Sequence, residues 1–105
     1  GLWAQLRLTE AGGGLRAPGD SVLLSCHSTG FALKNHGFLW YRQVPNAKVE
    51  WVSTIGYDST IIKYGPSVQG RANFSRDNSR SEVSLSLHAL NTHDSARYFC
   101  AVDTE

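Results

Sequence analysis

The sequence predicts an all-β fold, a sandwich or a barrel, from three observations. Apolar and polar residues alternate in several short segments, as in strands with one buried face. Gly, Pro, Asn and Asp cluster between these segments, for example in "VPNAK" at 44–48 and "GYDS" at 56–59. No window sustains the period of a helix. The 105 residues have room for one domain, which we expect to span residues 1–105.

Three segments show the strand pattern most clearly along the chain. In "SVLLSC" at 21–26, Val22, Leu24 and Cys26 share one parity. "EVSLSLH" at 82–88 places its aliphatic residues on one face and Glu, Ser and His on the other. "ARYFC" at 96–100 alternates in the same way, with Tyr98 on the parity of Cys100. We therefore predict half-buried antiparallel strands at these positions.

The most specific pattern comes from the two cysteines and one tryptophan. Cys26 and Cys100 stand 74 positions apart, which excludes a local metal knuckle and a CxxC redox pair and leaves a disulfide or two buried free thiols. Trp40 follows the first cysteine by fourteen residues, and Tyr98 precedes the second by two. This spacing resembles that of an immunoglobulin sandwich, where a disulfide joins the sheets, the Trp packs on it and the Tyr hydroxyl bonds to the backbone.

Charge and hydropathy exclude two classes of partner. The net charge is +1, with acidic and basic residues interspersed, so no basic stripe predicts nucleic-acid binding and no polybasic cluster predicts binding to an anionic membrane. The longest apolar run, "FLWY", is far shorter than the ~20 residues of a membrane span. We expect no nucleic-acid partner and no direct membrane insertion by this domain.

Five segments resemble the variable domain of an antibody heavy chain over residues 5–102: "LTEAGGGLRAPGDSVLLSC", "GF", "WYRQVPNAKVEWVSTI", "SVQGRANFSRDNS" and "DSARYFCA". "EWVS", "SRDNS" and "GGGL" favour the heavy-chain type, whereas "WYRQ" and "DSARYFCAV" are more similar to T-cell receptor chains. The resemblance implies a V-type β-sandwich with Greek-key connections and a Cys26–Cys100 disulfide. Such a disulfide implies an extracellular setting, in a secreted protein or the ectodomain of a cell-surface receptor.

The resemblance also implies binding loops at 31–38 ("FALKNHGF"), at 56–63 ("GYDSTIIK") and from Val102 onward. Loops on a rigid sandwich are where binding is expected, and antibody paratopes favour Tyr, Ser, Gly and Asn. The candidate antigen contacts are Lys34, Asn35, His36, Tyr57, Asp58, Ile61 and Asp103.

A second expected surface is an outward sheet face that is too apolar for solvent. Leu39 and Tyr41 are opposite in parity to the predicted core residue Trp40, and exposed apolar patches mark interfaces. In the family this face pairs with a second variable domain. A solitary domain is the alternative, since Lys48 stands where the family usually has glycine. The expected interface residues are Leu39, Tyr41, Gln43, Val49, Trp51 and Phe99.

The sequence predicts a structural ion pair and a glycosylation site, but no metal or cofactor site and no catalytic site. The family's structural Arg–Asp pair falls on Arg71 and Asp94, beside the structural Trp40 and Tyr98. Asn73-Phe74-Ser75 is an N-glycosylation sequon in which Asn73 should point outward. The four histidines are scattered, so we expect no metal site or other cofactor. No nucleophile elbow or phosphate-binding glycine loop indicates an enzyme.

The expected function is antigen binding by an adaptive immune receptor, either an antibody heavy chain or a heavy-chain-like T-cell receptor chain. The alternative is an invariant V-type cell-surface receptor, or a surrogate-chain component, that binds one fixed protein partner. In the family the last strand carries an aromatic-Gly-x-Gly motif, and none follows "CAVDTE". We therefore expect the final edge strand to be absent from these 105 residues.

Overall fold

A computed structural model describes residues 7–29 and 33–103, and over these ranges the chain forms two four-stranded antiparallel sheets. Short 3-10 helices lie between strands at Leu33–Asn35, Asn78–Arg80 and Thr92–Asp94. The predicted all-β class is confirmed. The strands are β1 Arg7–Gly12, β2 Val22–Thr29, β3 Gly37–Gln43, β4 Glu50–Ile55, β5 Ile62–Tyr64, β6 Ala72–Asp77, β7 Glu82–Leu87 and β8 Arg97–Asp103.

The strand order within each sheet gives the sandwich its topology. The first sheet has the order β1-β2-β7-β6 and the second the order β5-β4-β3-β8. The chain therefore changes sheet between β2 and β3, between β5 and β6 and between β7 and β8. These crossings are the Greek-key connections of the predicted V-type sandwich. Within the described residues, β1 and β6 are the edge strands of the first sheet, and β5 and β8 are those of the second.

The core lies between the two sheets and is closed by a Cys26–Cys100 disulfide, which confirms the predicted bridge. Trp40 is 1% exposed and lies directly opposite Cys100 on the neighbouring strand. Phe38 and Phe74 are also buried, at 0% and 1% exposed. Burying an aromatic side chain of this size stabilises a fold by about 1.5–3 kcal/mol. The alternation predicted for the strands around 21–26 and 82–88 is present in the burial of β2 and β7.

A bulge in β4 changes which residues of that strand face outward. Tyr41 pairs with Trp51 and Trp40 pairs with Ser53, so Val52 is the extra residue. Val52 and Ser53 are consequently both buried although they are neighbours in sequence. Trp51 and Thr54, three residues apart, are both left partly exposed, and Trp51 Nε1 donates to Thr54 Oγ1 at 2.9 Å.

The predicted loop boundaries are wrong, because sheet pairing extends further than the turn residues indicate. The range 31–38 includes Phe38, which is fully buried and pairs with Ile55 and Val102. Residues 30–32 lie outside the described part of the chain. The other predicted loop positions that belong to strands are Gly37 in β3, Ile62 and Lys63 in β5, and Val102 and Asp103 in β8.

Candidate functional site

Two loop segments meet at one end of the sandwich, and an arginine of β6 joins them. Arg76 Nη1 donates to the carbonyl oxygens of His36 at 2.7 Å and Gly56 at 2.6 Å, and Nη2 donates to that of Leu33 at 2.7 Å. The Arg76 guanidinium also lies 5.6 Å from the centre of the Phe38 ring. One side chain therefore fixes the residues before β3 relative to the residues after β4.

Arg76 is bound almost entirely by dipoles and by an aromatic face. Burial lowers the pKa of Arg76 below its ordinary value, because desolvation disfavours the charged form. Its nearest side-chain partner is the neutral Oδ1 of Asn78, at 2.9 Å from Nε. Hydrogen bonds from a charged donor are stronger than those between neutral groups. The three carbonyl oxygens that accept from Arg76 are therefore fixed in position.

The candidate contact residues surround this clamp with different exposure. Tyr57 and Ile61 are 62% and 56% exposed, and both lie in the turn between β4 and β5. Asp58 is exposed in the same turn and accepts hydrogen bonds from the Thr60 hydroxyl at 2.7 Å and the Thr60 N–H at 3.0 Å, which lower the pKa of Asp58. The turn closes with Gly56 N–H donating to the Ile61 carbonyl at 2.7 Å.

The remaining candidate contacts lie across the clamp from this turn. Lys34 and Asn35 are exposed on the 3-10 helix that precedes β3, and His36 is half-buried. Asp103 is half-buried at the end of β8, where it pairs with Gly37. The surface as a whole mixes exposed apolar groups with both signs of charge.

The outward face of β3, β4 and β8 carries the residues expected to meet a second domain. Tyr41 and Phe99 stack with ring centres 5.7 Å apart and an angle of 24° between the planes. Leu39 and Trp51 are partly exposed beside them. Val49, the residue before β4, is 48% exposed. Gln43, at the end of β3, is exposed and donates to the Ala47 carbonyl at 3.3 Å.

At the opposite end of the sandwich, Arg42 is a buried charge that the sequence analysis missed. It is 4% exposed. Its Nε donates to Glu50 Oε1 at 2.8 Å, and its Nη1 donates to Asp94 Oδ1 at 3.0 Å and to the Tyr98 hydroxyl at 2.9 Å. Its Nη2 donates to the Ser67 hydroxyl at 3.1 Å. The one available signal was its position, two residues after Trp40 and on the inward parity of β3.

Asp94 is the shared acceptor of two arginines. Arg71 donates to Asp94 from Nη1 and Nη2 at 2.9 Å each, in addition to the Arg42 contact. Asp94 also accepts from the Asn91 N–H at 3.0 Å as part of a capping box on the last 3-10 helix. Desolvation would raise the pKa of Asp94, but these hydrogen bonds outweigh it and lower the pKa to about 2. The Tyr98 hydroxyl donates to the Asp94 carbonyl at 2.8 Å, which ties β8 to the same corner.

The network of Arg42, Glu50, Arg71 and Asp94 is made of charged groups that bind one another. Glu50 and Asp94 both bind Arg42, and hydrogen bonds from Arg42 and Ser67 lower the pKa of Glu50. Each charged group is thus held in its charged form by its partners. Over residues 7–29 and 33–103, no group of three or more His, Cys, Asp or Glu side chains could hold a metal ion. The same ranges contain no helix that is long and apolar enough to cross a membrane.

Two antiparallel sheets, a disulfide between them with a tryptophan opposite it, and loops joined at one end define an immunoglobulin-type sandwich. The chain matches the immunoglobulin V-set domain over residues 15–105, and it belongs to that family. V-set domains generally mediate protein–protein interaction and are typically non-enzymatic binding domains. The fold and its disulfide indicate an extracellular or ectodomain location.

Proposed function

We propose that residues 1–105 form one variable-type domain that binds antigen as part of an adaptive immune receptor. The observation that carries the proposal is the Arg76 clamp, which binds carbonyl oxygens of both loop segments. A pre-organised loop surface loses less conformational entropy on binding, and this is how a rigid scaffold gains affinity. Exposed Tyr57 and Ile61 supply apolar contact area, and Lys34 and Asp58 supply charge.

The receptor chain is proposed to be of heavy-chain type, in an antibody or in a T-cell receptor. Two of the segments that resemble a heavy chain form specific structural contacts in this fold. "EWVS" at 50–53 supplies the β4 bulge and the Glu50 partner of Arg42. "SRDNS" at 75–79 supplies the Arg76 clamp and Asp77, whose side chain caps the 3-10 helix Asn78–Arg80.

A second variable domain is the proposed partner on the outward face of β3, β4 and β8. The stacked Tyr41 and Phe99 pair lies beside partly exposed Leu39 and Trp51, and Val49 adds an aliphatic group that is 48% exposed. Aromatic residues at the centre of such a face, with Gln43 at its edge, match the apolar core and polar rim of a protein interface.

Sequencing the transcripts of this chain from many single cells tests the antigen-receptor proposal. A rearranging receptor predicts that the residues after Val102 differ from cell to cell while residues 15–100 stay the same apart from scattered substitutions. One identical continuation in every cell would contradict the proposal. It would favour the alternative, an invariant receptor or surrogate-chain component that uses its apolar face for one fixed partner.

Trp51→Arg tests the partner face, with Leu23→Arg as the matched control. Leu23 is 54% exposed on β2, in the other sheet, so the control adds the same charge to an exposed apolar site away from the proposed interface. We expect Trp51→Arg to reduce recovery of a second variable-domain chain from producing cells, because an arginine in the centre of the face buries an unpaired charge. Equal recovery with both variants, each with a wild-type melting temperature, would contradict the interface.

A further inference from the structure

The sequence Asn73-Phe74-Ser75 lies in β6, and it is the only Asn-x-Ser/Thr sequence in the 105 residues. Strand alternation separates its three residues: Phe74 is 1% exposed and belongs to the core, whereas Asn73 and Ser75 are exposed on the outer face of the β1-β2-β7-β6 sheet. We propose that Asn73 carries an N-linked glycan whose first sugars lie over the row of residues Asn73, Ser86 and Leu23.

The acceptor group is accessible in the folded domain. Neither the Asn73 amide nor the Ser75 hydroxyl makes a side-chain hydrogen bond to any residue of the described part of the chain. In the sheet order β1-β2-β7-β6, β6 pairs only with β7. On its other side the Phe74 N–H donates to the Tyr64 hydroxyl at 2.8 Å. The outer face of β6, from which a glycan would extend, is exposed at Asn73 and Ser75.

The reaction is a glycosyl transfer to an amide nitrogen. Asn73 Nδ2 attacks C1 of the first N-acetylglucosamine of a lipid-pyrophosphate-linked oligosaccharide, which the secretory transferase supplies. The Nδ2–C1 bond forms as the bond between C1 and the pyrophosphate oxygen breaks. The lipid pyrophosphate leaves with the electron pair, and Nδ2 loses one proton to a base of the transferase. Ser75 is the hydroxyl residue that the acceptor sequence requires at the third position.

The register of the sheet determines what the first sugars would cover. Asn73 pairs with Ser86, and Ser86 pairs with Leu23, so the three residues form one row across β6, β7 and β2. Adjacent strands lie about 4.8 Å apart, which places Leu23 roughly 10 Å from Asn73 on the same face. The intervening Ser86 is small, so it leaves room for a sugar ring to extend across it.

The adjacent row of the same face also consists of small side chains. Ser75, Ser84 and Ser25 pair in register across the three strands. Leu23 is the one large apolar residue that is exposed on the described part of this face, at 54%. A pyranose ring has an apolar face of its own, so contact with Leu23 removes apolar surface from water on both sides. The glycan would therefore cover this sheet and leave the opposite sheet for protein partners.

Peptide mapping of the secreted protein tests occupancy. The chain is expressed in a eukaryotic cell line and digested with trypsin, and we expect the peptide Ala72–Arg76 to carry a glycan that peptide N-glycosidase removes with conversion of Asn73 to aspartate. Asn73→Gln and Ser75→Ala should abolish the glycan, Ser75→Thr should retain it, and Ser84→Ala, a neighbour in the serine row, should leave it unchanged. Secretion of the wild type with mainly unmodified Ala72–Arg76 would overturn the proposal.

Thiol labelling tests the position of the sugars. A Leu23→Cys variant is labelled with a maleimide under non-reducing conditions, before and after enzymatic removal of the glycan. We expect labelling to be several-fold slower with the glycan present. A Leu15→Cys variant serves as the control, because Leu15 is 99% exposed in the segment after β1, and its labelling should not change. Equal rates for the Leu23→Cys variant in both states would overturn the proposed location.

Discussion

Substituting Asp94 with asparagine should remove a large share of the stability of this domain. The substitution keeps the shape of the side chain and one carbonyl oxygen but removes the negative charge. That charge is shared by Arg42 and Arg71, and Asp94 is 7% exposed. After the substitution Arg42 retains Glu50, but the Glu50 side chain is 43% exposed, so the pair is partly screened by solvent. Arg42 itself is 4% exposed and cannot regain its hydration.

The loss of unfolding free energy in Asp94→Asn can be judged in two ways. Removing one partner of a buried ion pair typically costs about 3–5 kcal/mol, because the other charge is left uncompensated. The pKa of Asp94 is lowered from 3.8 to about 2, and a shift of that size corresponds to about 2 kcal/mol of folding free energy at neutral pH. We expect Asp94→Asn to lower the free energy of unfolding by about 3 kcal/mol at pH 7.

The pH dependence gives a second signature. The folded-state pKa of Asp94 lies below its unfolded value, so the unfolded state binds more protons between these pKa values. The contribution of Asp94 is therefore complete above about pH 4 and is lost as the pH falls towards about 2. Wild type and variant should differ most at pH 7 and converge as the solution is acidified.

Urea unfolding of both proteins from pH 7 to pH 2.5 measures this difference. Asp77→Asn is the matched control, since Asp77 is exposed and acts as an N-cap, a position where Asn and Asp are nearly equivalent. The control should stay within about 0.5 kcal/mol of wild type. A loss below about 1 kcal/mol for Asp94→Asn at pH 7, or a difference that does not change with pH, would refute the assignment of a buried, shared charge.

Three further outcomes are expected. Reduction of Cys26–Cys100 should lower the free energy of unfolding by about 4 kcal/mol in the chain-entropy model, and an unchanged melting temperature would contradict this. Arg76→Met should speed amide hydrogen exchange in residues 33–36 and 56–61. Arg80→Met, at a side chain that is 71% exposed, should not. Equal exchange rates in the two variants would contradict the role of Arg76 as a clamp. Tyr64→Phe should cost about 1 kcal/mol by leaving a backbone N–H of β6 without its acceptor, and urea unfolding would show it.

Local alternation was enough to predict the strands, because one buried face imposes a period of two. Val83 and Leu85 alternate with serines in sequence and are fully buried in β7. The spacing of Cys26, Trp40 and Cys100 then identified the sandwich, since few folds place a tryptophan opposite a cysteine of an inter-sheet disulfide. The fold could therefore be predicted from short-range pattern together with one long-range spacing.

The two arginines that organise the ends of the domain could not be predicted in the same way. Arg42 and Arg76 both occupy inward parities, which pattern analysis assigns to apolar residues. Their partners are distant in sequence: Asp94 lies 52 positions from Arg42, and Leu33 lies 43 positions from Arg76. Contacts of this kind depend on the three-dimensional path of the chain. A charge on an inward parity is nonetheless a usable signal that a buried polar network exists.

The single extra residue in β4 makes the pairing register, more than composition, the quantity that must be kept. If Val52 entered the regular pairing opposite Tyr41, the inward and outward faces of the preceding residues would be exchanged. Glu50 would turn away from Arg42, and Trp51 would turn towards the core. A one-residue slip of register here would therefore damage the internal charge network and the outer face together. Length changes in the turn 56–61 begin beyond this point and leave both intact.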